Sequence, residues 1–221
     1  MGLNVTIPHK EAVLPFLDEI SREARLIGAV NTILIKEGRL IGHNTDGEGY
    51  LRSLKKELSF SPRGKRVVLL GAGGAARALL TSFCLKGVKE LTLVNRTPSR
   101  AATLTKEFQK KFPRVKVRAH SLKGKNLCPL FQRSDLLINA TRVGLKNEKF
   151  SSLPLKELPT HAIVSDIIYK PAMTPLLKEA RGLGYKIHPG LGMLLHQGAL
   201  SFELWTGKKA PFSIMKRAVS V

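Results

Sequence analysis

KRVVLLGAGGAARALL, residues 65–80, decides the fold. Two basic residues lead into four aliphatic ones, Val67 to Leu70, with nothing polar among them. An uninterrupted apolar run is the pattern of a parallel strand covered on both faces, since a strand with one wet face alternates. The run stops at Gly71-Ala72-Gly73-Gly74, and Ala75 and Ala76 open an Ala-rich segment of high helix propensity. The glycines permit a tight turn and let a ligand reach the backbone with no Cβ in the way. A helix starting there aims free N–H groups and its positive dipole end at the turn, which suits an anion. Ala76 stands where the third glycine of G-x-G-x-x-G falls, a permitted variant. The stretch predicts the strand, phosphate-binding turn and helix of a dinucleotide site.

Downstream, Leu91 to Val94 is a second apolar strand, and its end reports on the cofactor. An NAD site places Asp or Glu there to hold the ribose hydroxyls. This chain has Asn95-Arg96-Thr97, with Arg100 one helical turn on. A guanidinium offers a fixed fork of donors and a permanent charge, which fits a 2′-phosphate, so NADP is preferred over NAD. Thr97-Pro98 reads as an N-cap and first helical residue, with the helix reaching about Lys111. Further strands are expected at Val115–Ala119, Leu136–Asn139, Ile163–Ile167 and Tyr185–Ile187, and a capped helix at Thr174-Pro175. This alternation predicts an α/β fold, a doubly wound parallel sheet of Rossmann type from about Lys65 to Ile187. Helices are expected at Gly190–Thr206 and Phe212–Val219.

The section upstream reads differently, as a smaller and incomplete α/β unit. Residues 4–8 alternate like a short strand. The apolar positions Val13, Leu14, Phe16, Leu17 and Ile20 predict a helix within His9–Ser21, starting or kinked at Pro15. A short helix is expected at Arg22–Ile27. Two strands follow, AVNTILI and RLIGHN, joined by a turn at Glu37-Gly38. Asp46 reads as the N-cap of a helix ending at Leu58.

Composition limits the function classes. The chain has 221 residues, 43% of them hydrophobic, enough for a substantial core. No apolar run reaches the ~18 residues of a membrane span. Cys84 and Cys128 fit neither a metal site nor a disulfide framework, so a reducing, cytoplasmic setting is expected and no metal. The net charge of +21 predicts attraction to anions, nucleic acid and phosphorylated small molecules included. The basic residues are dispersed, aromatics make up only 6%, and no nucleic-acid motif is present, so specific nucleic-acid binding is not expected.

GAGGAA at 71–76 followed by NRT at 95–97 resembles the NADP-binding half of the shikimate dehydrogenase family. Other segments resemble that family in the same order: NVTIPHK at 4–10, GAVNT at 28–32, NTDG at 44–47, NATRVG at 139–144, Asp166-x-x-Tyr169-x-Pro171-x-x-Thr174-Pro175, and GLGMLLHQ at 190–197. The resemblance implies reversible, NADP-dependent reduction of 3-dehydroshikimate to shikimate. It implies Lys10 and Asp46 as the catalytic pair, with Thr6, Asn31, Asp46, Tyr169 and Gln197 on the substrate. On the cofactor it implies Gly71, Ala72, Gly73, Gly74, Ala75, Asn95, Arg96, Thr97, Arg100, Asn139, Ala140, Thr141, Gly190 and Met193. Asn4 is expected to hold its loop. A substrate unit of residues 1–45 and 193–221, and an NADP unit of residues 46–192, follow from the same likeness, with a homodimer as a possible assembly.

Two departures qualify the likeness. Arg142 stands where the family usually has a smaller residue. The family also carries an N-terminal segment ahead of the NVT motif, with sheet strands and a serine pair for the substrate carboxylate, and this sequence shows no counterpart. The alternatives are a quinate/shikimate dehydrogenase using NAD, or an NADP-binding protein without catalysis.

Overall fold

A computed structural model describes residues 1–123 and 127–219. The chain opens with β1 (Gly2–Asn4) and β2 (Glu19–Ile20), then α1 (Arg22–Ile27) and the hairpin β3 (Thr32–Lys36) and β4 (Arg39–His43). These strands form a four-stranded sheet in the order β1-β3-β4-β2. β1 and β4 each run antiparallel to β3, and β2 runs parallel to β4. The hairpin turns at Glu37 and Gly38, both at positive φ. Cover on this sheet is thin. Ala24, Val30 and Ile33 form its buried nucleus, while Leu3, Ile7 and Phe16 are exposed.

Two expectations for this region are corrected. The segment His9–Ser21 holds turns, one short 3₁₀ turn at Leu14–Phe16 and the strand β2, not an α-helix. Pro15 has no N–H to give. Val13, Leu14 and Leu17 reach their small core from this irregular stretch and Ile20 from β2, while Phe16 points to solvent. The first strand ends at Asn4 rather than running to Pro8. Val5 still donates to Asn31 O at 2.8 Å, but His9 N bonds Thr6 O and turns the chain away.

α2 (Asp46–Leu58) leads into the larger sheet. Its strands are β5 (Arg66–Leu70), β6 (Glu90–Asn95), β7 (Lys116–Ser121), β8 (Leu136–Asn139), β9 (Ile163–Asp166) and β10 (Lys186–His188). The order is β10-β9-β8-β5-β6-β7 and every pairing is parallel. The order reverses between β5 and β8, the switch point where open α/β sheets place ligands. Side chains alternate between two cores, as the pleat requires. Val67 and Leu69 face a core with Tyr50 and Leu54 of α2, Leu79 and Phe83 of α3 (Gly74–Leu85), and Phe108 of α4 (Pro98–Lys111). Val68 and Leu70 face the other, with Leu130 and Phe131 of α5 (Cys128–Phe131) and Leu177 and Ala180 of α6 (Pro175–Gly182).

α7 (Leu191–Thr206) belongs to both sheets. Its first turn puts Met193 into the larger core, while Trp205 Nε1 donates to Ile33 O at 2.9 Å in the smaller sheet. α8 (Phe212–Val219) follows and packs back on α7, with His196 stacked on Phe212. α5 and a 3₁₀ turn at Leu155–Glu157 were not signalled by the sequence pattern.

Candidate active site

The polar centre of the smaller sheet is built around Asn31, which is buried at the start of β3. Its Oδ1 accepts from Thr45 N at 2.8 Å and from Thr32 Oγ1 at 2.9 Å. Its Nδ2 reaches Thr45 Oγ1 and Asp46 Oδ1, each at 2.9 Å, and Gln197 Oε1 at 3.3 Å. Asn31 therefore joins the hairpin, the start of α2 and the middle of α7. Ser201 Oγ stands 2.7 Å from Thr32 Oγ1 and extends the network along α7. Asn4 Nδ2 donates to Asn31 O at 3.2 Å, which holds its loop as expected.

Asp46 is the first residue of α2, and Thr45 occupies the N-cap position without a side-chain cap bond. The expected capping role is thus corrected. The Asp46 carboxylate turns to other partners: Asn31 on Oδ1 and Lys10 Nζ on Oδ2, the latter at 2.6 Å. Asn44 Oδ1 takes the Asp46 N–H instead. The side chains of Lys10 and Asp46 are only 14% and 5% exposed, so this ion pair is largely shielded from water. A paired, hydrogen-bonded arrangement is what lets charges remain buried. The Lys10 backbone is fixed by Val30 N, which donates to Lys10 O at 2.8 Å. Thr6 and Tyr169 are exposed, and neither side chain joins this network among the described residues.

The glycine turn lies directly opposite. Gly71 has φ +114°, and an added Cβ there would stand 3.0 Å from Ala140 O, so the turn and the end of β8 are in close contact. A Cβ at Gly73 would meet nothing within 4 Å. A Cβ at Gly74, the first residue of α3, would lie 3.6 Å from Lys10 Cβ and 3.7 Å from its Cδ. The lysine stem therefore crosses the mouth of the turn.

A cleft of about 580 Å³ runs from this point over the larger sheet. Gly71, Ala72, Gly73, Gly74 and Ala75 form its floor, with Asn95, Arg96 and Arg100 at one end. Ala140, Thr141 and Arg142 form a wall, and Ile7, Pro8 and Lys10 close it from the smaller sheet. Among the described residues Arg96 and Arg100 form no ion pair, which leaves two guanidiniums beside the cleft for an anion. Asn95 Nδ2 donates to Thr97 O at 2.9 Å and so shapes the turn. Thr97 precedes Pro98 as expected, but its side chain makes no cap bond.

Several expected cofactor residues sit behind the wall. Asn139 is buried, accepts from Thr141 N and Oγ1, and donates to Val143 O and Asp166 Oδ2. It orders the loop after β8. Asp166 is buried too, and burial pushes its carboxyl above the usual range despite bonds from Asn139, Ile168 and Thr174. Gly190 lies against the backbone of Ile167 and Ile168, and Met193 packs in the larger core.

Thr32, Thr45 and Ser201 join this polar network, although none is singled out as a site residue from the sequence. The signal for the two threonines is the repeated Asn-Thr pair, at 31–32 and 44–45, on either side of the hairpin; Ser201 has none.

The open space over Gly73, the helix start at Gly74 and the free guanidiniums fit a dinucleotide carrying an extra phosphate. Among the described residues no group of three or more His, Cys, Asp or Glu could hold a metal, and no helix is long and apolar enough to cross a membrane. Fold and cleft together define a dinucleotide-binding α/β protein with a buried lysine–carboxylate pair facing the nucleotide groove.

Comparison with known proteins makes the assignment particular. Residues 1–33 match the shikimate dehydrogenase substrate binding domain, residues 53–145 the shikimate/quinate 5-dehydrogenase domain, and residues 190–219 the shikimate 5'-dehydrogenase C-terminal domain. The shikimate dehydrogenase (NADP(+)) of Methanopyrus kandleri is 48% identical over 221 residues, 99% of this chain and 76% of the relative. Ligand-free 5-ketofructose reductase of Gluconobacter sp. superposes with a TM-score of 0.87 at 44% identity, covering 98% of this chain and 76% of that one. Shikimate 5-dehydrogenase of Listeria monocytogenes, in complex with shikimate and NAD, gives 0.90 at 37% identity, covering 99% and 77%. The chain belongs to the shikimate dehydrogenase family.

Proposed function

We propose that the protein catalyses the reversible NADP-dependent reduction of 3-dehydroshikimate to shikimate. The observation that carries this reading is the Lys10–Asp46 pair, 2.6 Å apart, standing at the mouth of the glycine turn. NADP, when bound, supplies a hydride to the carbonyl carbon or takes one from the alcohol carbon. The chain's own residues must then manage the proton. Reduction leaves an alkoxide on the former carbonyl oxygen, and in this reading the Lys10 ammonium protonates it. In the reverse direction the neutral Lys10 amine takes the hydroxyl proton and becomes the ammonium as hydride leaves. Asp46 orients Lys10 and offsets its charge, and Asn31 fixes Asp46 through the second carboxylate oxygen.

Substrate hydroxyls call for neutral donors and acceptors that are already held in place. Asn31 and Gln197 meet that need, since each is anchored by further bonds. Thr6 and Tyr169, both exposed, are assigned to the outer face of the substrate. Arg96 and Arg100 are assigned to the 2′-phosphate, and Gly71 to Ala75 to the pyrophosphate. The high positive charge assists, because both reactants are anions.

A panel of cofactors and alcohols tests the reading. Shikimate with NADP⁺ should give the highest kcat/KM. A preference for quinate, or for the alcohol formed from 5-ketofructose, would overturn the substrate assignment. Equal use of NAD⁺ would overturn the cofactor assignment.

A further inference from the structure

One of the side chains that tie the two sheets together has no place in the proton chemistry. Arg77 lies one turn into α3, where its backbone N donates to Gly73 O at 3.0 Å. Its guanidinium is held bidentately by Glu107 of α4, with Nη1 to Oε1 at 3.2 Å and Nη2 to Oε2 at 2.9 Å. The same Nη1 donates to Ile27 O, at the end of α1, at 3.2 Å. Glu11, the neighbour of Lys10, has a carboxylate oxygen 3.8 Å from Arg77 Nε. Gly28 leaves room for the guanidinium, since a Cβ there would stand 3.1 Å from Nη1.

A second cation repeats the contact. Lys111 Nζ donates to Leu26 O at 2.8 Å and to Glu107 Oε1 at 2.7 Å. The last carbonyls of a helix lack partners within it and carry the negative end of its dipole. Here the carbonyls at the end of α1 receive two cations from the nucleotide-binding half, both fixed by one carboxylate. Beneath them Ile27, Ala29 and Ala78 form a fully buried apolar contact between the same elements. The tie connects to the reaction by a short path: from Ile27 through Ala29 to Val30, whose N–H holds Lys10 O.

We propose that Arg77 is a positioning residue, which fixes the segment carrying Lys10 against the glycine turn. The inference rests on the proposed dehydrogenase reading. A planar fork gripped by Glu107 points in one direction, so it sets an orientation that a flexible ammonium sets less well. Losing that orientation moves Lys10 relative to the turn without touching substrate or cofactor directly.

The test uses Arg77→Met and Arg77→Lys in the full chain, with Lys111→Met as a second break in the same tie. Spin labels at Glu37→Cys and Lys106→Cys, in a Cys128→Ser background, report the distance between the hairpin and α4. Arg77→Met should broaden that distribution, and Arg77→Lys should restore it in part. NADP⁺ affinity should stay within about two-fold, while kcat falls roughly 10- to 100-fold with little change in KM. A larger primary isotope effect, with shikimate deuterated at the carbon losing hydride, should accompany the fall. Loss of folded protein alone would not produce that change. A parent-like distance distribution in Arg77→Met, or a kcat within about two-fold of the parent, overturns the proposal. If the parent itself turns over no shikimate, the dehydrogenase reading fails, and the distance measurement alone decides whether Arg77 ties the two sheets.

Discussion

The aliphatic stem of Lys10 runs past Gly74, so that a Cβ on the glycine would touch the lysine at 3.6 Å. One residue comes from the smaller sheet's turn-rich entry and the other from the first turn of α3, yet they share one wall of the cleft. That contact explains why an intact nucleotide turn is not by itself a catalyst. In the proposed reaction the turn holds the nucleotide, and the proton group is delivered to it from another part of the chain.

Lys10→Met should lower kcat by about 10²- to 10⁴-fold while shifting the KM for shikimate only a few-fold. It also strands the buried Asp46 carboxylate, at a cost of about 1–3 kcal/mol. Adding Asp46→Asn should recover much of that stability but none of the turnover. Steady-state kinetics and urea unfolding on the two variants separate these effects.

The glycines of the turn should fail in different ways. Gly71 sits at φ +114° beside Ala140 O, so Gly71→Ala should destabilise the free protein by about 1–3 kcal/mol. Gly73 is extended and faces open space. Gly73→Ala should leave stability within about 0.5 kcal/mol, yet weaken NADP⁺ roughly ten-fold because the Cβ occupies the cradle. Thermal unfolding with and without NADP⁺ reads both outcomes.

Arg96→Gln and Arg100→Gln should each raise the Kd for NADP⁺ by about ten-fold or more, through loss of a charge-assisted bond to phosphate. NAD⁺ lacks that phosphate and should be affected only a few-fold. Calorimetric titration with the two nucleotides checks the difference.

A chain of buried polar groups under α2 predicts an acid sensitivity. Tyr50 donates to Ser165, whose Oγ stands 2.9 Å from His188 Nδ1, and Ser53 Oγ stands 2.7 Å from His188 Nε2. Burial pushes the imidazole down to about 4. The unfolded chain then binds the extra proton between its ordinary pKa near 6.5 and that lowered value. This contribution is fully present above pH ~6.5 and is lost as pH falls toward 4, reaching about 2 kcal/mol at pH ~5. His188→Gln, which stays neutral, should show a flatter dependence in urea unfolding at the two pH values. A slope equal to the parent's would remove His188 from the effect.

The central strands of the larger sheet are legible in the sequence because they satisfy one local rule. Val67–Leu70 is apolar without a break, and so it is buried on both faces. Leu136–Asn139 has the same character and falls at the expected bounds. The smaller sheet is harder to read. The apolar spacing from Val13 to Ile20 mimics a helix, but a prolyl ring interrupts it and the small core is reached from turns and from β2. Asp46 shows a local signal for capping, whereas its actual partners, Lys10 and Asn31, lie 36 and 15 residues away. Arg77 gives no signal at all, since Ile27 and Glu107 become its neighbours only once both sheets have formed.

In the proposed reaction one cleft joins an NADP-holding turn to a proton-handling lysine for shikimate. This is tested most directly by following NADPH formation from NADP⁺ and shikimate with the purified chain and with Lys10→Met, under conditions where NADP⁺ binding to both is verified. The parent should form NADPH in a shikimate-dependent way, and the variant about 10²-fold or more slowly with NADP⁺ affinity unchanged. NADP⁺ binding without shikimate-dependent turnover, or equal turnover by parent and variant, would contradict the proposed reaction.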